Sequence, residues 1–282
     1  MTHFIAPDGT RLAYEVDGPS DGLPLLCLSG LSRNARDFDD FAAAVSAQDD
    51  GLPLRLIRMD YRGRGASDHA DPASYTVPTE AGDTIALLDH LSIDRTAILG
   101  TSRGGLIAMT LAALHKDRLS GVILNDIGPE LGAGGLAHIG SYLGTPPAAA
   151  NYDETAALLA KNNASAFRGV PLEKWRLCAE RWFEEAPGGG MALRYDPRLA
   201  EVAKPNPDVP LPDLWPLFDA LSDLPLGLIR GANSNLLETP TVAQMCRRRP
   251  DMAYAEVPDR GHVPFLDEPE ALTVIKKVLS LI

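Results

Sequence analysis

No stretch of these 282 residues is apolar, uncharged and long enough to span a bilayer. The opening Met1-Thr-His-Phe-Ile-Ala-Pro-Asp-Gly9 also lacks the basic region and apolar core of a targeting segment. Basic residues are in the minority: 26 Lys and Arg against 38 Asp and Glu give a formal net charge of -12. Such a surface repels nucleic-acid phosphates and anionic membranes. Cysteine is scarce, and Cys27, Cys178 and Cys246 stand far apart without metal-ligand spacing, which fits reduced thiols in a cytoplasm. A P-loop would need Lys and Ser or Thr after Gly105, where Leu106 and Ile107 stand, and the dinucleotide fingerprint G-x-G-x-x-G is missing. Internal repeats and low-complexity segments are absent as well. The expectation is a soluble, cytoplasmic protein with no nucleic-acid or membrane partner, no metal and no cofactor, whose oligomeric state leaves no mark in the sequence.

What is present is a 45% hydrophobic composition, enough for one large α/β domain carrying an insertion or for two small domains. The most informative stretch is Thr96-Ala-Ile-Leu-Gly-Thr-Ser-Arg-Gly-Gly-Leu-Ile-Ala-Met109, an apolar run that stops at a glycine-flanked serine and resumes. Thr96 to Leu99 reads as a strand buried on both faces, and Gly104 to Ala113 as a buried helix. The turn between them, Gly100-Thr-Ser-Arg-Gly104, is G-x-S-x-G. A serine in such a turn takes a strained backbone conformation, which is possible only if the residues two before and two after it carry no bulk. That geometry lifts the Ser102 hydroxyl clear of the sheet edge and aims the first N–H groups of the helix at the place where an oxyanion would form.

Strand and helix signals alternate on both sides of this turn. His3 to Ala6 and Arg11 to Val16 flank Pro7-Asp-Gly9 and predict an antiparallel edge hairpin. Pro24 to Ser29 and Leu54 to Met59 are interior strands, followed by helices at about Ala35 to Ala47 and Thr79 to Leu91. Leu119 to Leu124 is another buried strand, closing with Asn125-Asp-Ile-Gly-Pro129. From Glu130 to about Leu214 strand-like runs vanish. Gly132 to Gly135, Pro146-Pro147, Gly188 to Gly190 and the prolines at 205, 207, 210 and 212 punctuate helical segments, including one at about Leu172 to Glu184 with Trp175, Leu177, Cys178, Trp182 and Phe183. This segment predicts a helical insertion whose aromatic residues pack it on the core. Alternation then resumes, with a helix at Leu214 to Leu221, strand Leu224 to Arg230, helix Thr239 to Arg247, strand Ala253 to Val257 and a closing helix Pro269 to Leu281. Repeated strand and helix units mean a mainly parallel sheet with helices on both faces.

A serine hydroxyl is a poor nucleophile near neutral pH, so Ser102 needs a base to take its proton and a third group to orient the base. Of six histidines, His3, His69, His90, His115 and His138 fall on an edge strand, an Arg/Gly loop, helices and the insertion, where surface or packing roles suffice. His262 follows the last strand, in Val257-Pro-Asp-Arg-Gly-His-Val-Pro-Phe265, at the edge where parallel strands deliver their C-terminal loops.

These motifs, in this order, resemble the α/β-hydrolase fold, in its large group of capped esterase-like enzymes, over nearly the whole chain outside the insertion. Gly100 to Gly104 matches the nucleophile elbow, Ser29-Gly-Leu31 the first oxyanion loop, and Gly261-His262 the catalytic histidine loop. Asp60-Tyr-Arg-Gly-Arg-Gly-Ala-Ser-Asp68 matches a further loop of the group, read here as structural, with arginines pairing with acids. The resemblance implies an eight-stranded, mainly parallel sheet, a core of residues 1–130 and 214–282 under a helical cap of 131–213, and oxyanion donation from the backbone N–H groups of Leu31 and Arg103. Ser29 stands where relatives often have His. Relatives commonly place the acid after the next-to-last strand, where this chain has Asn235, and an amide cannot carry the charge that stabilises an imidazolium. Asp126 ends the strand after the serine helix, and some relatives, including certain dehalogenases, carry their acid there. Asp126 is therefore the expected acid, with Glu238 a weaker candidate that opens the following helix.

The expected function is cleavage of a small carboxylic ester or similar acyl bond by Ser102, His262 and Asp126, with a small acyl compound as partner. The alternatives are a carbon–carbon bond hydrolase acting on a diketone-type acid, with Arg103 holding a carboxylate, and a non-catalytic ligand-binding protein of the same fold, which Asn235 would suit. Dehalogenase and epoxide hydrolase chemistry would need a carboxylate where Ser102 stands.

Overall fold

Strands built from unbroken aliphatic runs bury both faces, and successive side chains go to opposite sides. A computed structural model describes residues 1–46, 53–203 and 212–282. In it the strands are β1 Thr2–Ile5, β2 Arg11–Asp17, β3 Leu23–Leu28, β4 Leu54–Met59, β5 Thr96–Thr101, β6 Leu119–Asn125, β7 Phe183–Glu185, β8 Met191–Leu193, β9 Leu226–Gly231 and β10 Ala253–Val257. The helices are α1 Asp39–Ser46, α2 Val77–His90, α3 Arg103–Leu114, α4 Ala133–Tyr142, α5 Tyr152–Asn163, α6 Leu172–Trp182, α7 Leu199–Ala203, α8 Trp215–Asp219, α9 Thr239–Arg248 and α10 Pro269–Leu279.

Eight strands form one sheet in the order β1-β2-β4-β3-β5-β6-β9-β10, antiparallel at β1, β2 and β4 and parallel from β4 to β10. Alternation along the strands divides the core. Leu26 and Leu28, Ile98, and Val122 and Leu124 face the helices that carry Leu87, Ile107, Phe218 and Met245. Leu25 and Cys27, Ala97 and Leu99, and Ile123 face the opposite layer, with Phe41, Val274, Ile275 and Val278. Helix starts carry their own signals: the Thr76 hydroxyl accepts the Thr79 N–H ahead of α2, with Pro78 in its first turn, and the Asn151 side chain accepts the Glu154 N–H ahead of α5.

Three expectations differ from the structure. The helix expected from Ala35 begins as a 3-10 turn, Ala35–Phe38, and its expected end at Ala47 lies outside the described residues, as do the prolines at 205, 207 and 210. The segment between β6 and β9 is not strand-free, because β7 and β8 pair as an antiparallel hairpin. At its turn Gly189 and Gly190 take φ of 88° and 77°, a conformation open to glycine. Three-residue strands are too short to show alternation, so these glycines read as a helix break. For the same reason α6 ends at Trp182, and Phe183 opens β7.

Charged contacts hold α6 against the start of α1. Arg181 donates to both Asp40 carboxylate oxygens at 2.6 and 2.8 Å, and Lys174 reaches Asp40 at 2.7 Å and Asp267 at 2.6 Å. The hydrogen bond from Arg181, helped by Lys174, holds the Asp40 carboxyl at about 2, below its ordinary 3.8. A carboxyl lowered in the folded state stabilises above its unfolded pKa, and that stability is lost as pH falls through the folded value. Asp40→Asn should therefore lower the urea midpoint near neutral pH. The gap from wild type should close as pH falls from 3.8 towards about 2, measured by urea titrations across that range.

Candidate active site

The sheet order brings four loops to one edge. β3 pairs with β5, so Leu28 lies beside Gly100 and the Ser29-Gly-Leu31 loop runs next to the serine turn. β6 pairs with β5 on the other side, ending with Asn125 beside Thr101, and β9 and β10 follow. Ser102 sits at φ 50° and ψ -111°, outside the regions an L-residue prefers, immediately before α3. Its N–H donates to the Asn125 carbonyl at 3.0 Å, and the Gly104 N–H donates to the Ser29 carbonyl at 3.1 Å. The flanking glycines are required by space: a Cβ on Gly100 would sit 2.6 Å from the Gly104 carbonyl carbon, and one on Gly104 would overlap the Leu28 carbonyl oxygen.

Ser102 Oγ lies 2.9 Å from His262 Nε2, and His262 Nδ1 lies 2.7 Å from Asp126 Oδ2. An ionised carboxylate only accepts, so Nδ1 carries the proton and Nε2 is left to accept from the serine hydroxyl. Asp126 is fully buried, directly after β6, at φ 56°. Its Oδ1 accepts the Gly231 N–H at 2.8 Å and its Oδ2 accepts the Ser234 hydroxyl at 2.6 Å. The structure therefore brings Ser102, His262 and Asp126 into one chain of hydrogen bonds. Asn235 stays outside it: the residue is exposed, lines the cavity above, and its carbonyl accepts the Gly135 N–H. Glu238 is exposed at the start of α9 and lies against Gly132.

Among the described residues, the amide N–H groups of Leu31 and Arg103 donate to no protein acceptor; Arg103 directly follows Ser102, and a Cβ on Gly30, the residue before Leu31, would lie 4.0 Å from Ser102 Cβ. The Arg103 guanidinium, which the alternative above gives to a substrate carboxylate, is bonded within the protein. Its Nε–H donates to Glu80, and its Nη2 donates to the Tyr75 carbonyl at 2.8 Å. Fully buried Glu80 also meets Arg64 at 3.0 Å, and Arg62 makes two 2.7 Å bonds to buried Asp83. The arginines of the Asp60 to Asp68 loop thus pair with acids of α2.

Against His262, and against Thr101 just before Ser102, lies a cavity of about 560 Å³, within the usual range for small-molecule sites. Its floor includes His262 and Asn125. Its walls come from the 3-10 turn, α4, α5 and α6, and include Trp175, Trp182, Phe167 and Phe265. Trp175, Phe167 and Phe265 pack edge to face or tilted, with centroids 5.6 to 6.0 Å apart. Trp175 of α6 thus both packs on Phe167 and Phe265 and lines the cavity. His138, expected only in the insertion, stands at the rim. Three contributors were invisible in the sequence. Ser234 was overshadowed by its neighbour Asn235, Gly231 acts through its backbone, and Arg33, two residues past Leu31, carried no motif. No group of three or more His, Cys, Asp or Glu side chains among the described residues is arranged to hold a metal, and the three cysteines are free thiols. No helix among the described residues is long and apolar enough to cross a membrane.

A doubly wound sheet with a serine elbow and a histidine loop at one edge defines the α/β-hydrolase class. A family model for the alpha/beta hydrolase family matches residues 25–274, and the chain belongs to this family of hydrolases. It is 36% identical over 280 residues to a 3-hydroxybutyrate-oligomer hydrolase from Cupriavidus necator, covering 96% of this chain and 93% of that one. It is 23% identical to a 2-(acetamidomethylene)succinate hydrolase from Mesorhizobium japonicum, covering 99% and 96%. The crystal structure of an alpha/beta hydrolase from Novosphingobium aromaticivorans superposes with a TM-score of 0.90 at 35% identity, covering 100% of this chain and 98% of that one.

Proposed function

We propose that this chain is a serine hydrolase that cleaves small carboxylic esters, with short linear esters of a hydroxy acid as the favoured substrates. The observation that carries the reading is the continuous path from Ser102 Oγ through His262 to buried Asp126, at 2.9 and 2.7 Å, with His262 lining the cavity. The 36% identical relative, named a 3-hydroxybutyrate-oligomer hydrolase, supports the substrate class. In the proposed reaction Ser102 Oγ attacks the ester carbonyl while His262 Nε2 takes the hydroxyl proton, and the Leu31 and Arg103 N–H groups hold the resulting oxyanion. Collapse breaks the carbon–oxygen bond. The departing alcohol takes the proton from His262, and the acyl group stays on Ser102. Water then attacks the acyl-enzyme, losing its proton to His262, and the acid is released as Oγ regains a proton. Asp126 holds the imidazole in the required tautomer and faces the imidazolium when it forms. Residues 131–213 act as the cap. The soluble, cytoplasmic setting fits a small acyl substrate.

Each of the two other readings loses a side chain that it invoked. The carbon–carbon hydrolase reading rests on the same triad in capped relatives and on the Arg103 guanidinium; the triad geometry serves both readings, but that guanidinium is bonded to Glu80. The binding-protein reading relied on Asn235, but His262 meets a carboxylate from elsewhere. A fluorophosphonate probe should label wild-type protein at Ser102 and leave Ser102→Ala unlabelled, and wild type alone should hydrolyse short acyl esters and the linear 3-hydroxybutyrate dimer. An unlabelled, folded wild-type protein would overturn the reading.

A further inference from the structure

Among the described residues, the cavity beside His262 is lined by one cation with no hydrogen-bonded partner. Its lining residues include two arginines, Arg33 and Arg181. Arg181 is consumed by Asp40 and its neighbours. The Arg33 side chain makes no hydrogen bond among the described residues, and its nearest carboxylate oxygen, on Asp37, is 4.0 Å from Nε. Burial pushes the Asp37 carboxyl up, which weakens its claim on that charge, and its Oδ1 is already taken by the Trp182 indole N–H. The Arg33 guanidinium lies over the Trp182 ring, with Cζ 3.2 Å from its centroid. Stacking spends the faces of a guanidinium and leaves its N–H edge free. With Nε turned towards Asp37, the two terminal amino groups remain for a ligand, on a side chain still 27% exposed. The arginine is also close to the reaction: Arg33 Cγ and Ser102 Cβ lie 3.4 and 4.0 Å from the single point where a Cβ on Gly30 would sit.

We infer that Arg33, held on the Trp182 platform, receives the free carboxylate of the substrate, so that the enzyme prefers acid-terminated esters to neutral ones. The inference rests on the ester-hydrolase reading, since a linear hydroxy-acid oligomer carries one free carboxylate. A planar guanidinium edge matches a carboxylate in a two-point contact, and the remaining walls, largely aromatic and aliphatic, accept the carbon chain. One hydroxy-acid unit separates that carboxylate from the first ester carbonyl, so an anchor beside the nucleophile favours the terminal linkage.

The test measures binding without turnover, so its failure is separable from failure of the hydrolase reading, which the probe experiment decides. Calorimetric titration of Ser102→Ala protein with the linear 3-hydroxybutyrate dimer, as free acid and as methyl ester, should give about ten- to a hundredfold tighter binding of the acid. In Ser102→Ala/Arg33→Met the two affinities should converge, and Arg33→Lys, which keeps charge but not the planar fork, should restore part of the gap. Arg33→Gln provides a second neutral replacement, with folding checked by circular dichroism. Equal affinities in Ser102→Ala, undetectable acid binding, or a gap that survives loss of Arg33 would overturn the inference. An arginine that only clamps Trp182 would weaken acid and ester alike.

Discussion

Asp126→Asn is expected to lower kcat for a short ester by about 10⁴-fold, the effect of replacing a triad carboxylate by an amide. The loss has two sources. An amide cannot balance the imidazolium charge at 2.7 Å, and the site around Asp126 is built for an acceptor at both oxygens, one facing the Gly231 N–H and the other the Ser234 hydroxyl. An Asn side chain must present its NH₂ to one of these donors or to His262, which selects the wrong tautomer or displaces the ring. Asn235→Ala, at an exposed position outside this chain of bonds, should leave kcat within about tenfold of wild type, as expected where no group active in the transition state is removed. Steady-state kinetics on purified variants, with circular dichroism to confirm folding, decides between the two positions. Near-full turnover in folded Asp126→Asn would remove Asp126 from the mechanism.

The largest stability effect is expected at Glu80. This fully buried carboxylate faces Arg64 and Arg103, whose side chains are 1% and 14% exposed. Burial already pushes the Arg64 pKa down, with Glu80 the main group opposing that shift. Glu80→Ala leaves two cations in a site with little water, and breaking a buried pair in this way costs about 3–5 kcal/mol. The urea midpoint should fall accordingly, and Glu80→Gln, which keeps the shape and an acceptor, should fall less. A loss below about 1 kcal/mol would mean that water or neighbouring carbonyls already satisfy the arginines.

Those elements that depend on local pattern were legible in the chain. Strands β3, β5 and β6 follow from unbroken aliphatic runs, and the elbow follows from two glycines at fixed distance from Ser102. The family match and the structural superposition agree with the fold drawn from them. The β7–β8 hairpin escaped because its strands are too short to show a period, and α6 was extended two residues into it because Phe183 and Glu184 continue the helix composition. Ser234 and Arg33 escaped for another reason. Their significance lies in which partner they meet or lack, and partners come from segments distant in sequence. Arg33 and Trp182, from segments distant in sequence, stack on each other. Arg103 is the converse case: its position beside Ser102 suggested a free charge, but α2 had already claimed it.

The fastening of α6 to α1 has a consequence for traffic. Residues on that side of the cavity, Trp175, Cys178 and Arg181, are buried, whereas the exposed lining residues among those described, His138, Ser141, Tyr142, Thr145, Pro146, Asn162 and Asn235, gather at α4, α5 and the loop after β9. Among the described residues, the solvent-exposed lining thus lies on the side away from the ion pairs. For the ester cleavage proposed above, this places the exit of the alcohol and the entry of water on the same exposed side of the cavity.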